Sequence, residues 1–159
     1  MSPSMKQLRM VMLSGVFVLV FGPLGFADPL PGPCIDLQQS RPVHFEGRLT
    51  YKIFPGPPNF ADIAKGDKPE PAYILQLRKP ICVSGDEFIE PSKPIDRIQI
   101  FPAHEDRKKL VSWKMLRTSI GKSVAVEGSE PFGAHTGHHH APLLLPITRI
   151  TNANRSAPK

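Results

Sequence analysis

The chain has little of what several functional classes require. It holds two cysteines, Cys34 and Cys82, and no Cys-x-x-Cys spacing. The pair therefore reads as one disulfide, with a pair of metal ligands as the weaker alternative. Closing a loop of this length stabilises a fold by about 4 kcal/mol in the chain-entropy description. No serine or cysteine has a partner that would make it a nucleophile, which leaves metal-assisted hydrolysis as the one enzymatic class in view, and the balance leans against an enzyme. Acidic residues are fewer than basic ones, 14 against 20, but the positive charges are scattered. Arg107, Lys108 and Lys109 fall on what reads as a solvated helix face, so nucleic acid is not an expected partner. The single tryptophan, Trp113, reads as core or rim packing rather than a ligand platform. No apolar run approaches the roughly 20 residues of a membrane span.

Residues 1–27 have instead the form of an export signal. Lys6 and Arg9 make a basic leader, Met10 to Phe21 is a short apolar run, and Gly22-Pro23 and Gly25-Phe26-Ala27 supply the break and the small residues of a cleavage site. Cleavage after Ala27 removes two positive charges from the formal +6. The expectation is an exported protein, periplasmic or secreted, with no membrane contact after cleavage. A proline-rich arm over 28–41, one domain over 42–150 and a polar tail over 151–159 follow.

Hydrophobic periodicity places the elements. Val43, Phe45, Leu49, Tyr51 and Ile53 share one parity of a strand, His44, Glu46, Arg48, Thr50 and Lys52 the other, and Gly47 suggests a bulge or sharp bend. His44 reads as solvated. A long connection, Phe54 to Pro71, precedes a second strand over Ala72–Lys79 with Tyr73, Leu75 and Leu77 inward. Pro80 suggests that this strand continues only at an edge. Asp96–Phe101 is the third strand. Glu105–Ile120 changes to a helical period and Gly121 is placed to end it. Ser123–Gly128 is the fourth strand and Pro142–Ile150 the fifth, with Pro146 suggesting an edge. Five strands with one helix between the third and fourth predict a mainly β, five-stranded OB-fold-like barrel, with another small α+β roll as the alternative.

The segments VHFEGRL, FPGPPNF with GDKPE, PICV, RIQIF, GKSVAVEG and AHTGHHHAPLLL resemble, over roughly residues 41–150, an exported bacterial family classed as domain of unknown function 4431. The resemblance implies export and a bacterial source. It implies no activity.

Two connections stand out. One is the 54–71 stretch, where Phe54, Pro57, Asn59 and Phe60 offer a rigid binding loop and Asp67 and Glu70 add carboxylates; turn and cap chemistry is the plainer use of each acid. The other is Ala134 to Leu145, which holds four of the six histidines. In an OB-fold the loops at these positions, with the second and third strands, form the ligand surface. Three readings are open. His135, His138 and His140 bind zinc or copper, with Asp67, Glu70 or His139 as a fourth ligand or support and His139 pointing away. Alternatively, the histidines and Thr136 hydrogen-bond the two loops together, and the surface so made grips a small ligand or an envelope protein. The third is a metal-dependent hydrolase.

Overall fold

The computed structural model describes residues 34–39, 41–103 and 111–153. The expected leader, the first part of the arm, the 107–109 basic triplet and the end of the tail lie outside the described residues. In chain order the strands are β1 Ile35–Asp36, β2 Val43–Pro55, β3 Pro69–Ile81, β4 Val83–Ser84, β5 Ile95–Pro102, β6 Ser123–Gly128, β7 Phe132–Gly133 and β8 Leu143–Asn152. Helix α1, Trp113–Ser119, lies between β5 and β6. Among the described residues no helix is long and apolar enough to cross a membrane.

β5, β3, β2, β6 and β8 are hydrogen-bonded in that order, each antiparallel to the next, and parallel pairing of β5 with β8 closes the ring. This is the predicted five-stranded barrel with a single helix between its third and fourth strands. Its interior is filled by alternate residues of every strand, among them Phe45, Leu49, Leu75, Ile98, Val124, Val126, Leu143 and Leu145. Leu116, the one buried residue of α1, packs into the same cluster. Cys34 and Cys82 are disulfide-bonded, and β1 pairs in parallel with β4 beside them, so the arm's end is tied to the body.

β2 explains the barrel's shape. Gly47 and Arg48 pair with β3 on one side and β6 on the other, whereas beyond Arg48 the strand pairs with β3 alone. A Cβ on Gly47 would overlap the Gln76 carbonyl oxygen, so glycine permits close backbone approach where the β2–β3 ladder begins and the β2–β6 ladder still runs. Of the expected bulge or sharp bend, the ladders show no register shift at Gly47, which lies where the strand serves both sides of the barrel; the described ladders shift between Gln76 and Ile81 and between Glu127 and Gly128. The part of β2 beyond the barrel forms a projecting hairpin with β3. Tyr51 and Ile53 consequently stand 44% and 50% exposed although they share the core parity.

Other expectations are adjusted by local chemistry. The described helix begins at Trp113, where the Ser112 hydroxyl accepts from the Met115 amide and caps it; the expected start at Glu105 lies outside the described residues. Gly121, at φ 79°, ends it as expected. Trp113 is a rim residue, its ring 5.8 Å from that of Tyr73. Pro80 falls in the irregular stretch of β3 between the Gln76 and Ile81 pairs. Pro146 does not mark an edge, since β8 is bonded on both sides. It sits where one side of β8 passes from its β7 partners, opposite Leu143 and Leu144, to its β6 partners from Ile147 onward, so no ladder bond is asked of its missing N–H there.

Candidate functional site

The 54–71 connection is shorter and more ordered than its composition suggests. β2 and β3 stay paired to Pro55 opposite Pro69, leaving a tip over 56–68. One side chain organises that tip. The Asp67 carboxylate accepts from the amides of Asn59 at 2.9 Å, Ala61 at 2.7 Å and Asp62 at 2.8 Å. These bonds, the Asp62 amide foremost and Ala61 next, hold its carboxyl below the usual carboxylate range. Asp67 is thus a buried clip whose oxygens are engaged by backbone. Asp62 caps the 3₁₀ turn Ile63–Lys65, and Gly66 follows at φ 104°. The clip holds Phe60 in a left-handed backbone, φ 55°, uncommon for a residue with a bulky side chain. Pro57 precedes Pro58 through a cis bond.

The outer face of this hairpin carries the site. Phe54 lies directly opposite Glu70, and Lys52 opposite Ala72, so all four project from one face, as does Ile74 two residues on. A solvated face would leave Ile74 exposed, yet it is 1% exposed. The covering is Ala141, which forms a second apolar cluster with Ala72, Ile74 and Phe54. The histidine loop therefore lies across the outside of the second and third barrel strands, rather than merely facing the other loop.

Gln99, which faces outward from β5 opposite Ile74, pins the loop's backbone. Its side-chain oxygen accepts from the His140 amide at 2.6 Å and its nitrogen donates to the His138 carbonyl at 3.3 Å. His138 Nδ1 donates to Glu70, 2.9 Å from both carboxylate oxygens. The His140 ring stacks on Phe54 with centroids 4.3 Å apart and planes 4° from parallel. Phe60 meets the His138 ring edge-on at 5.1 Å. Its own ring fills the space where a side chain on Gly137 would go. The Thr136 hydroxyl accepts from the His138 amide and its carbonyl from the His139 amide, completing a tight turn.

The four histidines fall into two pairs. His138 and His140 meet at Glu70. His135 and His139 meet each other: the His135 amide donates to His139 Nδ1 at 3.0 Å, and His135 Nδ1 donates to the Gly133 carbonyl at 2.9 Å. Phe88 and Phe132 flank His135, and Phe132 also flanks His139. Burial, followed by the neighbouring histidines, lowers the His139 pKa, consistent with the neutral ring that its accepting Nδ1 requires. His135 thus belongs with His139, and the sequence-level grouping of His135, His138 and His140 does not match the contacts. Among the described residues, no three His, Cys, Asp or Glu side chains are already arranged to hold a metal ion.

Gln99 and Asp86 carry no motif that marks them in the sequence. Asp86 accepts from the Gly133 and Phe88 amides, both at 2.8 Å, and anchors the start of the loop. Parity could have flagged Gln99, which lies between inward Ile98 and Ile100; nothing local marks Asp86 within its polar stretch. On another face, a groove of 620 Å³ is lined by Met115, Thr118, Lys122, Glu127 and Arg149, together with His44.

Comparison of the chain with curated proteins gives no match. Comparison with solved structures gives none either. Residues 97–151, the part of the barrel that carries Gln99, α1 and the whole histidine loop, match the family model described as Domain of unknown function (DUF4431).

Proposed function

We propose that this protein is an exported binding module in which a small barrel presents the histidine loop and the hairpin tip as one recognition surface for a small ligand or an envelope protein. The observation that carries this reading is the cover over Ile74. The two loops that an OB-fold uses for ligands are joined to each other, through Glu70 to His138 and Phe54 to His140, above the strands that would otherwise form the binding face. His138, His135 and His139 spend ring nitrogens on bonds within the protein, which favours histidines that shape the surface. Export is supported by the leader-like first 27 residues and by a disulfide, which persists in oxidising compartments.

Site-specific photo-crosslinking in exporting cells tests the reading. Labels at Ile63, 42% exposed on the hairpin tip, and at exposed Thr136 should capture the same discrete partner or ligand-derived adduct. A label at Thr118, in the groove beside α1, should not. Capture from Thr118 alone would move the recognition surface to the other side of the barrel.

A further inference from the structure

We propose that Glu70, His138 and His140 constitute a two-histidine, one-carboxylate site for a divalent transition-metal ion of the zinc class. The site goes beyond the binding surface described above and stands on a separate observation. The Nε2 atom of His140 is buried with no hydrogen-bond partner. The side chain is only 8% exposed, and Nε2 is 3.6 Å from Glu70 Oε1, beyond hydrogen-bond reach. Whichever way this nitrogen is protonated, it is unsatisfied. As N–H it lacks an acceptor, and as a lone pair it faces a carboxylate. A cation resolves the second case, taking the lone pair and neutralising the carboxylate in one step.

The spacing suits such an ion. Ligand atoms about 2.0–2.1 Å from a tetrahedral zinc stand about 3.3 Å from one another. The carboxylate oxygens lie 2.9 Å from His138 Nδ1, and Oε1 lies 3.6 Å from His140 Nε2, so the two separations bracket that value. His138 Nδ1 holds a proton toward Glu70, and the three groups are not yet arranged as a ligand set, so uptake of an ion requires the two rings and the carboxylate to close on it. Ion uptake replaces that proton in space. The proton passes through solvent to the other ring nitrogen, and His138, 58% exposed, stays neutral overall. His140 is held for its part by Phe54 beneath the ring and by Gln99 at its backbone. Two imidazoles and one carboxylate favour zinc, copper or iron over calcium and magnesium, and water completes the coordination on the exposed side.

The test uses the mature chain purified without a tag, stripped of metal and titrated with zinc alone. Calorimetry and elemental analysis should give one zinc per chain. Glu70→Gln and His140→Gln should each weaken binding by about tenfold or more. His135→Ala, which leaves all three ligands in place but removes a ring that packs within the same loop, should weaken binding far less than either ligand variant, and a cobalt-loaded sample should show the visible bands of a four-coordinate site. Absence of zinc binding overturns the proposal. So does binding that survives Glu70→Gln or is lost as strongly in His135→Ala, which would make the histidine run an unspecific chelator. Amide exchange of residues 136–140 in metal-free buffer separates the two readings: a loop protected there while zinc fails to bind refutes the metal site and leaves the stitched surface intact.

Discussion

Gly137→Ala is the sharpest probe of whether the histidine loop rests on the hairpin. A Cβ at this position would stand 2.9 Å from Cγ, Cδ1 and Cε1 of Phe60. Carbon atoms prefer about 3.5–4.0 Å, so the ring must retreat by roughly 0.6–1 Å or the loops must part. Retreat is restricted. The Phe60 amide is bonded to the Gly56 carbonyl at 2.9 Å, and the amides on either side of Phe60, those of Asn59 and Ala61, are bonded to Asp67. Overpacking costs about 1–3 kcal/mol, and because the ring is half-buried and can swing outward, the lower end, about 1 kcal/mol, is expected. That corresponds to a fall in melting temperature of about 4 °C for a domain of this size. The assay is urea denaturation with amide exchange over residues 134–142. Exchange at His138 and His140 should accelerate more than at Val124 in the core. Phe60→Ala in the same background should recover most of the loss, giving a coupling energy of about 1 kcal/mol. If Gly137→Ala changes neither stability nor exchange, the loops are not packed as described.

Leu49→Ala, at a fully buried position of β2, should cost about 2–5 kcal/mol in urea denaturation, whereas Tyr51→Ala two residues on, outside the closed barrel, should cost about 1 kcal/mol or less. Replacing Cys34 and Cys82 together by serine should remove about 4 kcal/mol and expose the β1 amides to exchange, while the β2–β3 amides stay protected relative to global unfolding. Asp67 has a depressed pKa, so its contribution is fully present above the ordinary value of 3.8 and is lost as the pH falls below that value toward the folded-state pKa. Asp67→Asn should therefore be less stable at neutral pH and show a flatter acid limb in thermal melts; an unchanged limb would remove Asp67 as the clip.

The barrel is legible in the sequence because inward residues alternate along strands that are buried on one side. Ile98, Ile100, Val124, Val126, Leu143, Leu145 and Ile147 obey that rule, and the helix between the third and fourth strands announces itself by a change of period. Strand ends are less legible. Tyr51 and Ile53 keep the core parity after β2 has left β6, since parity records which side a residue faces and not whether anything lies there. The hairpin's extension through Pro69 and Pro71 is hidden by prolines, tolerated because β3 from Pro69 to Ala72 is bonded only to β2. At the site, Glu70 and the histidine loop are visible as types, but their grouping depends on which residues share the outer face of β2, β3 and β5. That information lies in the register: Phe54 opposite Glu70 and Ile74 opposite Gln99. Read linearly, AHTGHHH groups His135 with His138 and His140, whereas the turn at Thr136 gives His135 to His139.

The most direct measurement is a nuclear Overhauser spectrum of the isotope-labelled mature protein in metal-free buffer, recorded for the rings of Phe54, Phe60, His138 and His140. The account predicts cross-peaks between Phe54 and His140, whose ring centroids are 4.3 Å apart, and between Phe60 and both His138 and the Gly137 α-protons. Strong intra-loop cross-peaks without any from Phe54 or Phe60 to the histidine loop would contradict it, leaving the outer face of the hairpin uncovered and the Glu70 cluster unformed.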